Sequence, residues 1–130
     1  MKLLIDTQVF IWLINEDKKL NPKILELLQD STNQLLISYF SFFEMAIKAS
    51  IGKLNYDPKV LDLLNDMDIE LVMPDTSLLK KYEIFNTQNK DPFDNALIAT
   101  AIVGKYILVT SDHKILDTSF KGLKLLNANT

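Results

Sequence analysis

Five short apolar segments, separated by longer stretches with helical patterns, are the feature that most constrains the fold of this chain. The predicted strands cover residues 2–6, 35–38, 69–73, 106–110 and 123–126. The sharpest of them are unbroken apolar runs, as expected for strands that are buried on both faces of a sheet. Their alternation with helices predicts an α/β fold of three layers, with a parallel sheet between two layers of helices. A length of 130 residues predicts a single domain over residues 1–130.

The helices between these strands carry their own start and stop residues. They are predicted at residues 7–15, from Asn21-Pro22 onward, and at 39–51, 58–67, 75–86 and 92–103, with a helical turn at 113–117. Proline at the first helical position and glycine just past the end are typical of helices, and Pro22 and Gly52 fit these positions. Asp91 before Pro92 fits the position of a helix cap, which places Asp94 third in that helix.

Four acids occupy positions that this topology could bring together. Asp6 closes the first strand and Asp112 follows the fourth, and ligands of such sheets bind outside the carboxyl ends of the strands where the strand order reverses. Glu44 lies among apolar helical residues, so we expect it to be at least half buried. Asp94 shares a helix face with residues that must point inward.

Convergence of these carboxylates would have a chemical consequence. Neighbouring carboxylates repel one another and need a cation, and a hard ion such as Mg²⁺ takes oxygen ligands of this kind. Ions held in this way often activate water against a phosphodiester. The sequence therefore leads to the hypothesis of a metal-dependent nuclease.

Each acid also has a purely structural interpretation. Asp6 and Asp112 fit the positions of helix caps, whose carboxylates accept backbone N–H bonds. Asp94 would be favoured by the helix dipole. Glu44 can pair with Lys48 four residues on, which is worth a few tenths of a kcal/mol.

Two hydroxyl residues adjoin the acids. Thr7 could support a metal, bind a neighbouring carboxylate or help to cap its helix. Ser41, one turn before Glu44, could orient that carboxylate or cap the helix.

Composition excludes other kinds of site. The chain has no Cys, which excludes disulfides and thiolate zinc sites, and its one imidazole, His113, is expected to be exposed and without an essential role. A net charge of −3 argues against general phosphate coating of the surface. Nucleic acid would have to bind through the metal and a local group of lysines. The candidate phosphate contacts are Lys48, Lys53, Lys90 and Lys114.

Two features of the sequence bear on where in the cell the protein is located. No apolar stretch reaches the roughly 18 residues of a membrane span. Asp6 comes too early for the apolar region of a signal peptide, so we expect a cytoplasmic protein without a membrane partner.

Several segments resemble, in order, the PIN domain, and in particular the toxin ribonuclease of bacterial VapBC-type toxin–antitoxin pairs. They are Leu3-Leu4-Ile5-Asp6-Thr7 with Trp12-Leu13, Ile37-Ser38 to Ser41, Glu44-Met45-Ala46-Ile47-Lys48, Gly52-Lys53-Leu54, Asp91-Pro92-Phe93-Asp94 with Ile98-Ala99-Thr100-Ala101, and Leu108-Val109-Thr110-Ser111-Asp112. These segments span nearly the whole chain, and the Asp-Pro-Phe-Asp segment with its following helix is the most specific.

The resemblance implies a parallel five-stranded α/β/α fold with a compact acidic pocket. It implies Mg²⁺ or Mn²⁺ bound by Asp6, Glu44, Asp94 and Asp112, which would also be the catalytic residues, and endonucleolytic cleavage of RNA. Thr110 matches the family's small hydroxyl residue near the pocket. The resemblance also implies a homodimer and a small VapB-like antitoxin whose tail occupies the toxin's groove.

Two positions depart from the family pattern. Gln8 stands where the family often has Asn or His, and Asn95 follows Asp94 where close relatives often carry Arg. The second departure removes a positive charge that could contact RNA or antitoxin.

The region from Phe40 to Phe43, with Phe10 and Trp12, is rich in large apolar side chains. Most of these side chains are expected in the core, and some of their surface could contact an antitoxin or a second subunit.

Two other classes of function stay open. In one, the chain is a non-catalytic α/β module that binds RNA or protein, and its acids only cap helices. In the other it is a receiver-like domain that is phosphorylated on aspartate. That fold expects an acidic pair after the first strand, whereas Asp6 stands alone.

Overall fold

A single parallel sheet organises the molecule. The computed structural model describes residues 1–54, 58–83 and 91–129. The strands are β1 (Lys2–Ile5), β2 (Gln34–Ser38), β3 (Ile69–Val72), β4 (Ile107–Thr110) and β5 (Lys124–Asn127). All neighbouring pairs are parallel, and the strand order is β3-β2-β1-β4-β5. The sequence prediction of a parallel sheet is confirmed.

Helices connect the strands as the start and stop residues predicted. They are α1 (Thr7–Ile14), α2 (Pro22–Gln29), α3 (Tyr39–Ser50), α4 (Leu63–Asp66), α5 (Thr76–Glu83), α6 (Pro92–Gly104) and α7 (His113–Leu116). The prediction of one α-helix over 58–67 was wrong in its first half. There the chain forms a 3₁₀ turn (Pro58–Asp62), a form common at helix starts. Residues 84–86, predicted to end the helix at 75–86, lie outside the described residues. In the part of the chain that is described, no helix has the length and apolar character that crossing a membrane requires.

Local hydrogen bonds fix the helix ends. Asn21 accepts a bond from the Lys23 N–H at 2.9 Å. Ser38 caps α3 by accepting a bond from the Phe40 N–H at 3.1 Å, so the capping role considered for Ser41 belongs to Ser38. Gly52 has a φ of +74° just past α3, a conformation in which a side chain would be strained, and this confirms it as the stop residue.

The core lies on both faces of the sheet because strand residues alternate. Leu3 and Ile5 of β1 face a first apolar cluster, which includes buried residues of α1, α2 and α3. Leu4 of β1 faces a second cluster, which includes buried residues of α6 and α7. The three-layer α/β/α arrangement follows from this alternation.

Most of the aromatic residues considered for a partner surface belong to the core. Phe10, Trp12 and Phe42 are all buried in the first cluster, and the Phe10 and Phe42 rings meet edge to face at 5.6 Å. Phe43, by contrast, is 49% exposed.

The strand order reverses at β1. From β1 the chain moves outward to β2 and β3, then returns to place β4 on the other side of β1. The Asp6 N–H donates to the Val109 carbonyl at 3.2 Å, which extends the β1–β4 pairing to the end of the strands. As predicted, the acids that follow β1 and β4 therefore lie at a switch point, where such sheets bind ligands.

Replacement of Leu108 tests the second cluster. Leu108 is fully buried in β4, so Leu108→Ala should lower the free energy of unfolding by about 2–5 kcal/mol. Leu79, which is 63% exposed on α5, is the control, and Leu79→Ala should cost less than about 0.5 kcal/mol. Urea denaturation measures both, and equal costs would show that the second cluster is not a core.

Candidate active site

Asp6 is held from two directions at the end of β1. It is 6% exposed. Its Oδ1 accepts a bond from the Val9 N–H at 2.8 Å, which is the capping role considered from the sequence. Its Oδ2 accepts a bond from the Thr110 hydroxyl at 2.5 Å. The same carboxylate therefore caps α1 and is bound to the end of β4.

Thr110 joins the two strand ends. Its side chain is fully buried. A hydroxyl has one hydrogen to donate, which goes to Asp6, and lone pairs that accept, one of which takes the Asp112 N–H at 3.1 Å. This one side chain fixes the Asp6 carboxylate and the backbone that leads to Asp112.

Asp112 caps α7 at the same edge of the sheet. Its Oδ1 accepts a bond from the Lys114 N–H at 2.9 Å, so its structural interpretation is also realised. The side chain is partly buried, and its negative charge acts on Asp6.

Glu44 approaches from α3. The Thr7 hydroxyl donates to its Oε1 at 3.2 Å, so of the roles considered for Thr7 the structure shows the bond to a neighbouring carboxylate. The Lys48 ammonium lies 3.6 Å from its Oε2, and the Glu44 side chain is 18% exposed. The predicted burial and the predicted pair with Lys48 are therefore both present.

The pKa of Asp6 records how the acids affect one another. Burial raises the pKa of Asp6 to about 6, because removal from water penalises the charged form. The bonds from Thr110 and Val9 lower the pKa, and the charges of Asp112 and Glu44 raise it. Three of the four acids thus interact electrostatically. A positive charge beside Asp6 would favour its ionised form.

Asp94 lies in the first turn of α6. It is 8% exposed, and its N–H donates to Oδ1 of the cap residue Asp91 at 3.3 Å. The preceding residue, Phe93, has its ring centroid 6.2 Å from that of Phe43, the residue before Glu44. This ring contact brings the backbone of α3 beside the first turn of α6.

Asp91 has the structural role that its position predicted. Its Oδ1 accepts bonds from the Phe93 N–H at 2.9 Å and from the Asp94 N–H. It orients the first turn of α6 and hence Asp94.

Ser41 carries an unusual buried hydroxyl. It is 2% exposed on α3, and its Oγ has no hydrogen-bond partner among residues 1–54, 58–83 and 91–129. An unsatisfied buried polar group costs about 1–3 kcal/mol. Ser41 lies one turn before Glu44 on α3.

The acids do not form a closed metal cage. Among the residues that the structure describes, no three Asp, Glu or His side chains gather closely enough to hold an ion by themselves. The structure relates Asp6 to Asp112 and Glu44 through their charges, and the convergence of all four acids on one ion stays a prediction. Mg²⁺ usually keeps several waters and binds through one or two carboxylates plus substrate phosphates, so this all-oxygen donor set fits a partly hydrated ion.

The lysines considered as phosphate contacts have different surroundings. Lys48 pairs with Glu44, whereas Lys53 and Lys114 are exposed. Lys90 lies outside the described residues. His113 is exposed, as the sequence predicted.

Sequence reasoning did not connect two aromatic residues with the candidate acids. Phe43 directly precedes Glu44 and Phe93 directly precedes Asp94, and both rings lie at the surface or near it. The signal that could have found them is this adjacency of a ring to a candidate ligand in two separate segments.

Substitution of Asp6 tests the electrostatics. A raised pKa means that the folded state holds a proton more tightly than the unfolded state, so the contribution of Asp6 to stability falls as pH rises from about 4 to about 6. Asp6→Asn keeps a good helix cap without the charge. In chelator, the variant should melt higher than the wild type at pH 8, and the difference should shrink at pH 4. A difference that is independent of pH would contradict the raised pKa.

Comparisons with known proteins match the fold. The family model of the PIN domain matches residues 3–121. No curated protein matches the chain significantly. VapBC2 from Rickettsia felis, bound to a DNA fragment from its promoter, has 20% identity and a TM-score of 0.71, with 98% of each chain covered. VapBC-1 from nontypeable Haemophilus influenzae has 17% identity and a TM-score of 0.70, again with 98% of each chain covered.

A third solved structure is similar over nearly the same length. A domain of a functionally unknown protein from Methanocaldococcus jannaschii has 16% identity and a TM-score of 0.62, covering 99% of this chain and 91% of that one. At such identities the likeness is one of fold. The family model, however, spans most of the sequence, and the chain belongs to the PIN domain family.

Proposed function

We propose that this chain is a Mg²⁺- or Mn²⁺-dependent endoribonuclease, acting as the toxin of a VapBC-type toxin–antitoxin pair. PIN domains are generally nucleases. The observation that carries the proposal is the placement of Asp6 at the switch point of the sheet, with a pKa raised to about 6 by burial and by the charges of Asp112 and Glu44. Buried carboxylates that oppose one another's ionisation are a common sign of a catalytic or metal site.

The four acids would hold the ion between them. Asp6, Asp94 and Asp112 would bind it directly or through water, and Glu44 would bind it or act as the base. When bound, the metal supplies positive charge that orients the scissile phosphate and lowers the pKa of water. The same charge would keep Asp6 ionised at neutral pH.

Hydroxyl groups of the chain position these acids. Thr110 fixes one oxygen of Asp6, and Thr7 fixes one oxygen of Glu44. Side chains locked in this way hold a constellation in its productive geometry. Glu44, as base, would accept a proton from the attacking water as the new phosphorus–oxygen bond forms and the leaving oxygen departs.

A groove elsewhere on the molecule is our candidate for the antitoxin. A cavity of about 870 Å³ lies between α1, α2 and the segment around α4, with Trp12, Leu25 and Met67 in its lining. Four acids also line it, namely Glu16, Asp17, Asp30 and Asp68. This combination fits a segment that is apolar and carries basic residues. Two similar structures are VapBC complexes, which supports a VapB-like partner.

A second copy of the chain is proposed as a further partner, together with a location in the cytoplasm. The homodimer is what the resemblance to VapC-type toxins implies. Sedimentation of the purified protein tests the homodimer, and a monomer at micromolar concentration would contradict it.

Metal-dependent cleavage tests the activity. The purified protein should cut RNA with Mg²⁺ or Mn²⁺ and not in excess chelator. Asp94→Asn should reduce the rate by about 100-fold or more, since even groups that only orient metal ligands contribute about 10- to 100-fold. Asp30→Asn, which alters an exposed acid before β2 and away from the carboxyl ends of the strands, is the matched control and should retain activity.

Two outcomes would contradict a metal-dependent nuclease. Full activity in chelator would exclude the metal mechanism. In the alternative of a non-catalytic module whose acids only cap helices, Mg²⁺ or Mn²⁺ would give no specific rise in melting temperature, whereas a bound ion should stabilise the fold.

The sole tryptophan reports on the groove. Trp12 lines the cavity and is 7% exposed, so a small protein encoded by a neighbouring reading frame should change its fluorescence on binding. Leu25→Asp in the lining should weaken binding, whereas Leu79→Asp on α5 should not. If both variants bind the antitoxin with equal affinity, the antitoxin binds to another surface.

A further inference from the structure

Positive charge is unevenly distributed along the chain. Residues 95–130 contain four Lys and two acids, a net charge of +2, whereas residues 1–94 contain ten Lys and fifteen acids, a net charge of −5. Such an asymmetry within a chain is a sign of contact with nucleic acid or a membrane surface. The basic part includes most of α6, together with β4, α7 and β5.

Three exposed lysines lie at the amino ends of neighbouring strands. Lys2 is the first residue of β1, and Lys124 is the first residue of β5. Between these strands lies β4, whose Ile107 pairs with Leu3 on one side and with Lys124 on the other. Lys105 is the C-cap of α6, two residues before β4 begins. The three lysines therefore share the amino edge of the sheet, opposite the edge that carries the acids.

The turn before β5 adds a fourth exposed lysine, Lys121, beside the end of α6. A side-chain carbon at Gly122 would lie 3.6 Å from Cγ2 of Ile102, so this turn packs against α6. The Lys105 N–H donates to the carbonyl of the same Ile102 at 3.3 Å. Ile102 thus brings the backbones of Lys105 and Lys121 together. We call the four residues Lys2, Lys105, Lys121 and Lys124 the lysine patch.

The charges of the lysine patch are available to an external anion. None of the four lysines forms an ion pair within residues 1–54, 58–83 and 91–129. Lys48, by contrast, lies 3.6 Å from a carboxylate oxygen of Glu44. The ammonium groups of the patch are therefore free of the internal neutralisation that Lys48 has.

Two of these lysines also have local structural roles. Lys124 lies on an edge strand, where Lys discourages pairing with another sheet. Lys105 lies at the C-terminus of α6, where the helix dipole favours a cation. Neither role requires the lysines to lie side by side. Their grouping in the basic part of the chain therefore points to a shared polyanionic partner.

The opposite edge of the sheet makes a phosphate backbone the fitting partner. The carboxylates after β1 and β4 repel the phosphates of RNA, whereas the lysine patch at the other end of these strands attracts them. A strand of four residues, such as β4, is about 13 Å long at about 3.3 Å per residue. The two edges are thus separated by the helical rise of roughly four nucleotides.

A membrane surface fits the lysine patch less well. Binding to a membrane surface combines lysines with apolar side chains that enter the lipid. The apolar residues beside the patch, Tyr106 and Leu123, instead pack against the second cluster of the core.

We propose that the lysine patch binds phosphates of the RNA that lie outside the acidic site, and thereby anchors a long substrate at the amino edge of the sheet. Backbone contacts of this kind position a nucleic acid without reading its sequence. The inference rests on the proposed nuclease function and adds to it a second contact surface, remote from the acids.

The salt dependence of RNA binding tests the patch. Fluorescence polarisation of a labelled oligoribonucleotide is recorded with the full chain in chelator, which prevents metal-dependent cleavage. Each neutralised phosphate of a single strand adds about 0.7 to the steepness of log K against log salt concentration. The triple variant Lys105→Gln, Lys121→Gln, Lys124→Gln should therefore reduce this steepness by about 2. Lowering the salt from 200 to 50 mM should strengthen its binding about 20-fold less than that of the wild type.

A second triple variant controls for net charge. Lys18→Gln, Lys19→Gln, Lys23→Gln also removes three exposed lysines, and hence also changes the net charge from −3 to −6. These lysines lie before and within α2, away from the patch, so the control should keep the wild-type salt dependence. Arginine at the three patch positions preserves the charge and should keep it as well.

Cleavage separates the lysine patch from the acidic site. A dinucleotide has one phosphate, which is the scissile one, so the patch variant should cleave it in Mg²⁺ as fast as the wild type does. With a long RNA, the patch variant should show a raised KM and an unchanged kcat, because the lost contact is the same in the ground and transition states.

Specific results would overturn the inference. If the patch variant keeps the wild-type salt dependence, or if both triple variants reduce it equally, the patch does not contact RNA. If the patch variant binds RNA normally but no longer sediments with phosphatidylserine vesicles as the wild type does, the patch contacts a membrane. Binding of RNA that depends on the patch, without any cleavage in Mg²⁺ or Mn²⁺, would instead refute the nuclease and leave the patch as an RNA contact.

Discussion

The hydroxyl of Thr110 is the interaction on which the site depends. It bridges two strand ends that are 104 residues apart in sequence, donating to the Asp6 carboxylate and accepting the Asp112 N–H. The bridge is possible only because β1 and β4 are parallel neighbours, so that their carboxyl ends meet at one edge. The sheet order therefore sets the chemistry of the site before any ligand is present.

Burial and repulsion at this edge oppose the stability of the folded chain. Asp6 leaves water and faces the charges of Asp112 and Glu44, and its raised pKa shows that the bonds from Val9 and Thr110 do not fully compensate. The Ser41 hydroxyl, which has no hydrogen-bond partner in the described part of the chain, adds a second unfavourable group on α3. Proteins tolerate such local costs mainly at functional sites, where a ligand completes the interactions.

The sequence predicted the fold more completely than it predicted the candidate site. Unbroken apolar runs such as Leu3-Leu4-Ile5 identify buried strands because burial on both faces leaves no room for polar residues. The weaker apolar pattern at 58–67 did not distinguish a 3₁₀ turn from an α-helix. Over so few residues, both kinds of helix place apolar side chains on one side. For the site, residue types and strand ends indicated Asp6 and Asp112. The Thr110 bridge and the capping of α3 by Ser38 depend on side-chain directions that no periodicity encodes.

Capping and function are not competing explanations for these acids. A carboxylate has two oxygens, and Asp6 uses one to cap α1 while the other meets Thr110 across the sheet. In an α/β fold, each helix that covers the sheet tends to begin just beyond the carboxyl end of a strand, so its cap lies at the edge where ligands bind. A capping acid at a switch point is thus held rigidly by the fold, with lone pairs left over for a cation. Under the proposed function the same residue would stabilise a helix and supply a ligand, so the structural interpretation of each acid does not oppose the functional one.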